Sequence, residues 1–262
     1  LCTNPLCPCS VSVSKPLVFA LVCEAIGPEA ARQQIGVNAT GLAYDAIEGV
    51  ERGERRRTNP MVNAGAIATS CRVPGDSPQD KWNVIHQGLS RFAGRDLTLN
   101  QEVYASAKAT NFRNQAIAHV LKGYGLIQLD PSHAIDLYTR QCSLNVTAYD
   151  LAVMASTLAD GGLNPCTGQQ VIAPEICRYV LAVMTTAGLY QNSGDWLYDV
   201  GLPGKSGIGG GLIAVSPGKA GLATFAPPLD DAGNSVKGQL AMRFLSRQLG
   251  LDMLASQPRP TD

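Results

Sequence analysis

Histidine is scarce in this sequence, with only His86, His119 and His133 among 262 residues. Three such distant imidazoles leave little to complete a zinc site, and Cys7 and Cys9 do not form C-x-x-C, so no metal and no cofactor are expected. Net charge is lacking too, since 21 Lys+Arg balance 21 Asp+Glu. No field therefore draws the chain to nucleic acid or to an anionic membrane, and a small neutral or zwitterionic ligand fits better. Long apolar runs are absent: none reaches the ~18 residues that a membrane helix needs. The N-terminus shows neither a basic n-region nor a small-residue cleavage site behind an apolar core. Eight cysteines are present, four of them before residue 24 and the rest scattered among apolar positions such as Cys142 and Cys177. That spread reads as free thiols in a reducing compartment, and the expected location is the cytoplasm.

What is there begins with 45% hydrophobic residues, enough for one large domain or two intimately packed ones. KPLVFALVCEAI, from Lys15, is almost continuously apolar over about three turns and predicts a buried helix. Pro16 is tolerable only in a first turn, which puts Ser12 and Lys15 at the helix start. EGVERGERRRTN, residues 48 to 59, mixes charges without periodicity and reads as a solvated loop. Thr147 with Asp150 resembles a helix cap, although the reciprocal box favours Glu or Gln at the later position. A further helix is expected from Pro174 to a stop at Gly188. GGGLIAVSPGKAGLATFAPP then suggests two short strands joined at Ser216 to Lys219. SVKGQLAMRFLSRQLG returns to helical spacing through Leu240, Ala241, Phe244 and Leu245. Helices first, then strands closed by a helix, argues for an α+β fold.

Ser12-Val13-Ser14-Lys15 is an S-x-x-K, whose spacing of three puts hydroxyl and amine on one helical face. Lysine can take the serine's proton once burial or a nearby cation has made its amine partly neutral. Alone the motif occurs by chance in many chains. A second element strengthens it: Lys205-Ser206-Gly207, a K-[ST]-G leading through Ile208 into three glycines. There the glycine keeps a cleft open, and the next backbone N–H can face a developing oxyanion. GKSGIGGG is not a phosphate loop, because Asp199 stands where a Walker A motif needs its first glycine.

Beyond these motifs, NPMVNAGAI (59 to 67), LYTRQCS (137 to 143), LADGG with NPCTG, GLPGKSGIGGG and PPLDDAGNSVKG (227 to 238) stand in one order. With them the chain resembles the glutaminases from Ser12 to about Leu251. The resemblance implies the β-lactamase/transpeptidase-like fold: an antiparallel sheet flanked by helices (144–262) beside a mainly helical domain (12–143) that carries the S-x-x-K. The segment 1–11 diverges. It also implies hydrolysis of L-glutamine to L-glutamate and ammonia by residues that the motif positions supply. Ser12 would be nucleophile, Lys15 base and Tyr190 proton relay, with the N–H groups of Ser12 and Ile208 as oxyanion hole. Asn63, Asn114 and Tyr138 would hold the amino-acid end of the substrate, with Lys205 and Ser206 along the cleft. A homo-oligomer, dimer or tetramer, is implied as well.

Departures from the pattern are plain. Val11 replaces a glutamine, Tyr44-Asp45 replaces the usual F-N pair, and Ala107 occupies the substrate-binding position where the family has a glutamate. Loss of that carboxylate's charged hydrogen bond to the substrate ammonium is expected to weaken affinity about tenfold or more. Two further readings stand beside an active glutaminase: an amino-acid-binding or assembly protein that no longer turns over, and a β-lactamase-like acyl hydrolase.

Overall fold

The computed structural model describes residues 11–256; the divergent residues 1–10 and the stretch 257–262 lie outside it. A 3-10 turn, Val11–Val13, runs directly into α1 (Ser14–Ile26). Pro16 stands in the first turn, where its missing N–H costs no bond. Every residue of α1 from Ser14 to Cys23 is buried, as its unbroken apolar sequence requires. Gly27, at φ 84, turns the chain sharply into α2 (Pro28–Ile35), so that the two lie 119° apart. Among the described residues no single helix is long and apolar enough to cross a membrane.

The charged run at 48 to 59 is not simply a solvated loop. It holds α3 (Glu48–Arg52) and a 3-10 turn, Glu54–Arg56. Val50 is fully buried and Gly49 is buried beside it, so one apolar residue anchors the helix while its charges face out. Then come α4 (Asn63–Ser70), α5 (Pro78–Ala93), α6 (Gln101–Thr110), α7 (Phe112–Gly123) and α8 (Pro131–Cys142). Helix α9 (Ala148–Ala159) begins with a full capping box: Thr147 Oγ1 accepts from Asp150 N–H at 3.1 Å, and Asp150 Oδ2 accepts from Thr147 N–H at 2.7 Å. Aspartate thus does here what Glu or Gln does elsewhere, and it also binds Arg95 at 2.7 Å.

Helix α10 (Pro174–Ala187) ends at Gly188, followed by a 3-10 turn at Tyr190–Asn192 and α11 (Ser193–Val200). The strands are β1 (Gly204–Ser206), β2 (Gly211–Ser216) and β3 (Ala220–Phe225), antiparallel in the order β1-β2-β3. Lys205 pairs with Ile213 and Leu212 with Thr224. β3 lies tight on α9: a Cβ on Gly221 would come within 2.1 Å of Ser156 N. One core cluster joins α1, α5, α9 and α10 to Ile213 and Val215 of the sheet, so α1 is clamped between helices and strands.

The last helix, α12 (Val236–Gln248), turns a different face inward from the one its large apolar residues suggest. Leu240 and Phe244 are 61% and 62% exposed, whereas Gly238, Met242 and Ser246 are buried. The small residues permit close approach: Gly238 lies against Thr224, and Ser246 Oγ donates to Val200 O at 2.7 Å.

Candidate active site

The site grows from the start of α1. Ser12 and Lys15 are 3% and 1% exposed. Just ahead of them Val11 takes φ 37, a left-handed value costly for a β-branched residue. Lys15 Nζ donates to Met61 O at 3.3 Å and to Asn63 Oδ1 at 2.8 Å. Asn63 opens α4 without capping it; its Nδ2 donates to Asn114 Oδ1 at 2.8 Å, and its Oδ1 also accepts from Tyr138 OH at 3.0 Å. The Ser12 hydroxyl lies beside the hydroxyls of Tyr138 and Tyr190, whose own protons go to Asn63 Oδ1 and Ser206 O. The Lys15 ammonium lies 5.8 Å and 6.0 Å from the centroids of those same rings.

Burial dominates the electrostatics. It holds the Lys15 amine down at about 8, while Cys142 and Asp45 pull it weakly upward. Burial also raises Tyr138 and Tyr190 above the usual phenol range and pushes the Cys142 thiol up to about 11. All three stay protonated near neutrality. Among the described residues no three of His, Cys, Asp or Glu gather to hold a metal ion.

The opposite wall is β1 and the turn after it. Gly207 meets the start of α1 so closely that a Cβ there would stand 3.4 Å from Ser12 N and 3.3 Å from Val13 Cγ2. Gly207 N–H donates to Gly211 O, and Gly210 N–H donates to Gly207 O, each at 2.9 Å. Among the described residues the intervening Ile208 N–H finds no carbonyl, and the Ile208 side chain is 44% exposed. Tyr190 OH donates to Ser206 O at 3.1 Å. Lys205 lies beneath the Tyr190 ring, 4.1 Å from its centroid, and donates to Gly188 O at 2.8 Å and to Ser206 O. Burial, then the charge of Lys15, depresses the Lys205 ammonium well below its ordinary value.

Ser12, Lys15, Asn63, Asn114, Tyr138 and Tyr190 therefore form one connected network, with Lys205 and Ser206 joined to it through Tyr190 and Ile208 at its rim. Ala107 stands apart, half-buried on α6; its neighbours Tyr104 and Lys108 turn to Asp136 of α8. Sequence reasoning passed over Tyr44, whose ring lies 5.1 Å from that of Tyr190, and Cys142, which lies beside Tyr138 and Ser14. For Tyr44 the available signal was its place in the altered F-N pair. For Cys142 there was none.

A helix that starts with S-x-x-K, set against a Lys-Ser-Gly strand of an antiparallel sheet, is the arrangement of the β-lactamase and penicillin-binding fold. Comparison with known proteins narrows this. The family model described as glutaminase matches residues 9–254. Glutaminase 2 of Yersinia pestis is 65% identical over 248 residues, covering 95% of this chain and 73% of the relative. A glutaminase of Mycobacterium ulcerans is 49% identical, covering 92% of this chain and 76% of its own. Among solved structures, a probable glutaminase superposes with a TM-score of 0.93 at 42% identity, covering 95% of this chain and 81% of that one. A Bacillus glutaminase gives 0.90 at 28% identity, covering 94% and 85%. The chain belongs to the glutaminase family.

Proposed function

We propose that this protein hydrolyses L-glutamine to L-glutamate and ammonia through an acyl-enzyme on Ser12. The observation that carries the reading is the buried Ser12 hydroxyl beside two tyrosine hydroxyls, on the helix turn that also bears a buried lysine, with Gly207 of the sheet directly opposite. In this reading Lys15, neutral in a useful fraction near pH 8, takes the Ser12 proton as Oγ attacks the carboxamide carbon. Backbone N–H groups of Ser12 and Ile208 receive the oxyanion, a contribution of about 3 kcal/mol for such a donor. Tyr190 hands the proton to the leaving nitrogen, ammonia departs, and water releases glutamate from the ester. Asn63, Asn114 and Tyr138 hold the amino-acid end, since amides and a phenol can serve both donor and acceptor needs. Lys205 and Ser206 act along the cleft wall, with Lys205 beneath Tyr190.

The reading extends to organisation. The helical part, 12–143, and the described portion of the expected sheet part 144–262, which ends at 256, form the two sides of the cleft. The free thiols Cys23, Cys71, Cys142, Cys166 and Cys177 support a cytoplasmic location, and the exposed Leu240 and Phe244 of α12 support a homo-oligomer, dimer or tetramer. The test is ammonia release from L-glutamine. Wild-type protein should release it, and Ser12→Ala should do so at least about 10³-fold more slowly. Equal rates in the two would end the acyl-enzyme reading. Ala107 favours the alternative of an amino-acid binder, which predicts calorimetric glutamine binding without ammonia release from the wild type.

A further inference from the structure

An α-amino acid brings a cation as well as a carboxylate, and the network around Ser12 offers it amides, phenols and ammonium groups. Several of the chain's carboxylates are committed elsewhere, and others, such as Glu48, Glu51 and Glu54, stand exposed on the surface. Asp136 is bound to Tyr104 and to Arg140, Asp150 to Arg95 and Thr147, and Asp80 and Asp130 cap their helices. Asp45 is different. Its half-buried carboxylate makes no hydrogen bond or ion pair with any described residue, yet its backbone is fixed at the network's edge. Asn63 N–H donates to the preceding Tyr44 O at 2.7 Å, and Arg113 Nε, beside Asn114, donates to Asp45 O at 3.0 Å. The Tyr44 ring packs on Tyr190 and lies near the Ile208 and Gly233 rim, where a Cβ on Gly233 would come within 3.5 Å of its ring and 3.3 Å of Ile208 Cγ2. The charge of Asp45 is felt at both Tyr44 and Lys15.

We infer that Asp45 is the acid that receives the substrate's ammonium group, setting the preference for an α-amino acid over its des-amino analogue in a chain that has Ala107 on α6. The inference rests on the glutaminase reading and deepens it. An uncommitted carboxylate facing a zwitterion's cation gains a charge-assisted hydrogen bond without first breaking an internal pair. It also balances the Lys15 amine across the same space.

The experiment compares L-glutamine with 4-carbamoylbutanoate, which keeps the carboxamide and carboxylate but lacks the amine. With wild-type protein, KM for L-glutamine should be lower than for the analogue by about tenfold or more. Asp45→Asn should raise KM for L-glutamine by that factor, keep kcat within about twofold, and leave KM for the analogue in place. A KM for glutamine unchanged in Asp45→Asn overturns the assignment, and so does an equal rise for both compounds, which would mark a structural role. If the wild type releases no ammonia at all, the glutaminase reading fails first. Calorimetric binding of the two compounds to wild type and Asp45→Asn then reads the same discrimination, and its loss in the variant supports the inference while its persistence overturns it.

Discussion

At the scale of single residues, the decisive quantity is the proton on Lys15. An ordinary lysine at neutral pH is a poor base because almost none of it is neutral; held at about 8 by burial, its amine is free in roughly a tenth of molecules at pH 7. The acid limb of kcat/KM should therefore rise through an apparent pKa near 8. Asn63 Oδ1 accepts from this ammonium at 2.8 Å, so Asn63→Asp would place a carboxylate there and favour the protonated amine. That variant should move the limb to higher pH, as read from a pH–rate profile; a limb that stays in place would show that another group sets it. The tyrosines do not compete for this assignment, because burial raises both Tyr138 and Tyr190.

At the scale of elements, the turn between α10 and α11 aims Tyr190, and it is strained: Tyr190 has φ 59, a conformation costing about 1 kcal/mol or more for a residue of its size. Three side chains hold it. Ser193 Oγ accepts from Leu189 N–H at 3.1 Å and donates to Tyr190 O at 2.8 Å, Lys205 donates to Gly188 O, and Asn234 Nδ2 reaches Leu189 O at 3.4 Å. Ser193→Ala removes the first and should lower kcat about tenfold with KM for glutamine little changed, since the residue touches no substrate-holding group. A KM effect alone in steady-state assays would contradict this. Such turns also explain what could and could not be read from sequence. The start of α1, the hairpin of β2 and β3 and the stop at Gly188 follow from local chemistry: apolar continuity, proline placement and glycine. Ser12, Lys15 and the Lys205 strand were found because each carries its own spacing. The inward face of α12 was not legible, because Gly238 and Ser246 matter through the neighbours they let close in, and no periodicity scale weights absent volume. Tyr44 and Asp45 reach the site along a loop whose path is fixed by Asn63 and Arg113, residues 18 and more positions away in the chain.

At the scale of the whole molecule, the site sets a cost against stability. Lys15 is enclosed at 1% exposure and Lys205 at 0%, and burial depresses both amines. For Lys15 the folded value is about 8 against an ordinary 10.5. Between those two values the unfolded chain binds more protons than the folded one, so stability rises with pH across that window. Below pH 8 both states are protonated and the penalty is present in full, on the order of 3 kcal/mol at 1.4 kcal/mol per pKa unit. Lys15→Met keeps the side chain's length and removes the charge, but it strands the acceptor Met61 O and takes one of two donors from Asn63 Oδ1, which keeps Tyr138 OH, at about 2 kcal/mol in all. The net gain at pH 7 is then about 1 kcal/mol, a rise in Tm of about 2 to 4 °C for a chain of this size, with activity abolished. The advantage should shrink as pH climbs from 8 towards 10, because the parent sheds its penalty there while the variant has none to shed. The burial of Lys205 is common to both proteins, while the part of its depression that comes from the Lys15 charge is relieved in the variant and acts in the same direction. Calorimetric scans of parent and variant at pH 7 and pH 9.5 test this: a Tm difference that does not fall with rising pH would mean that Lys15 is not the strained, partly neutral amine on which the proposed chemistry depends.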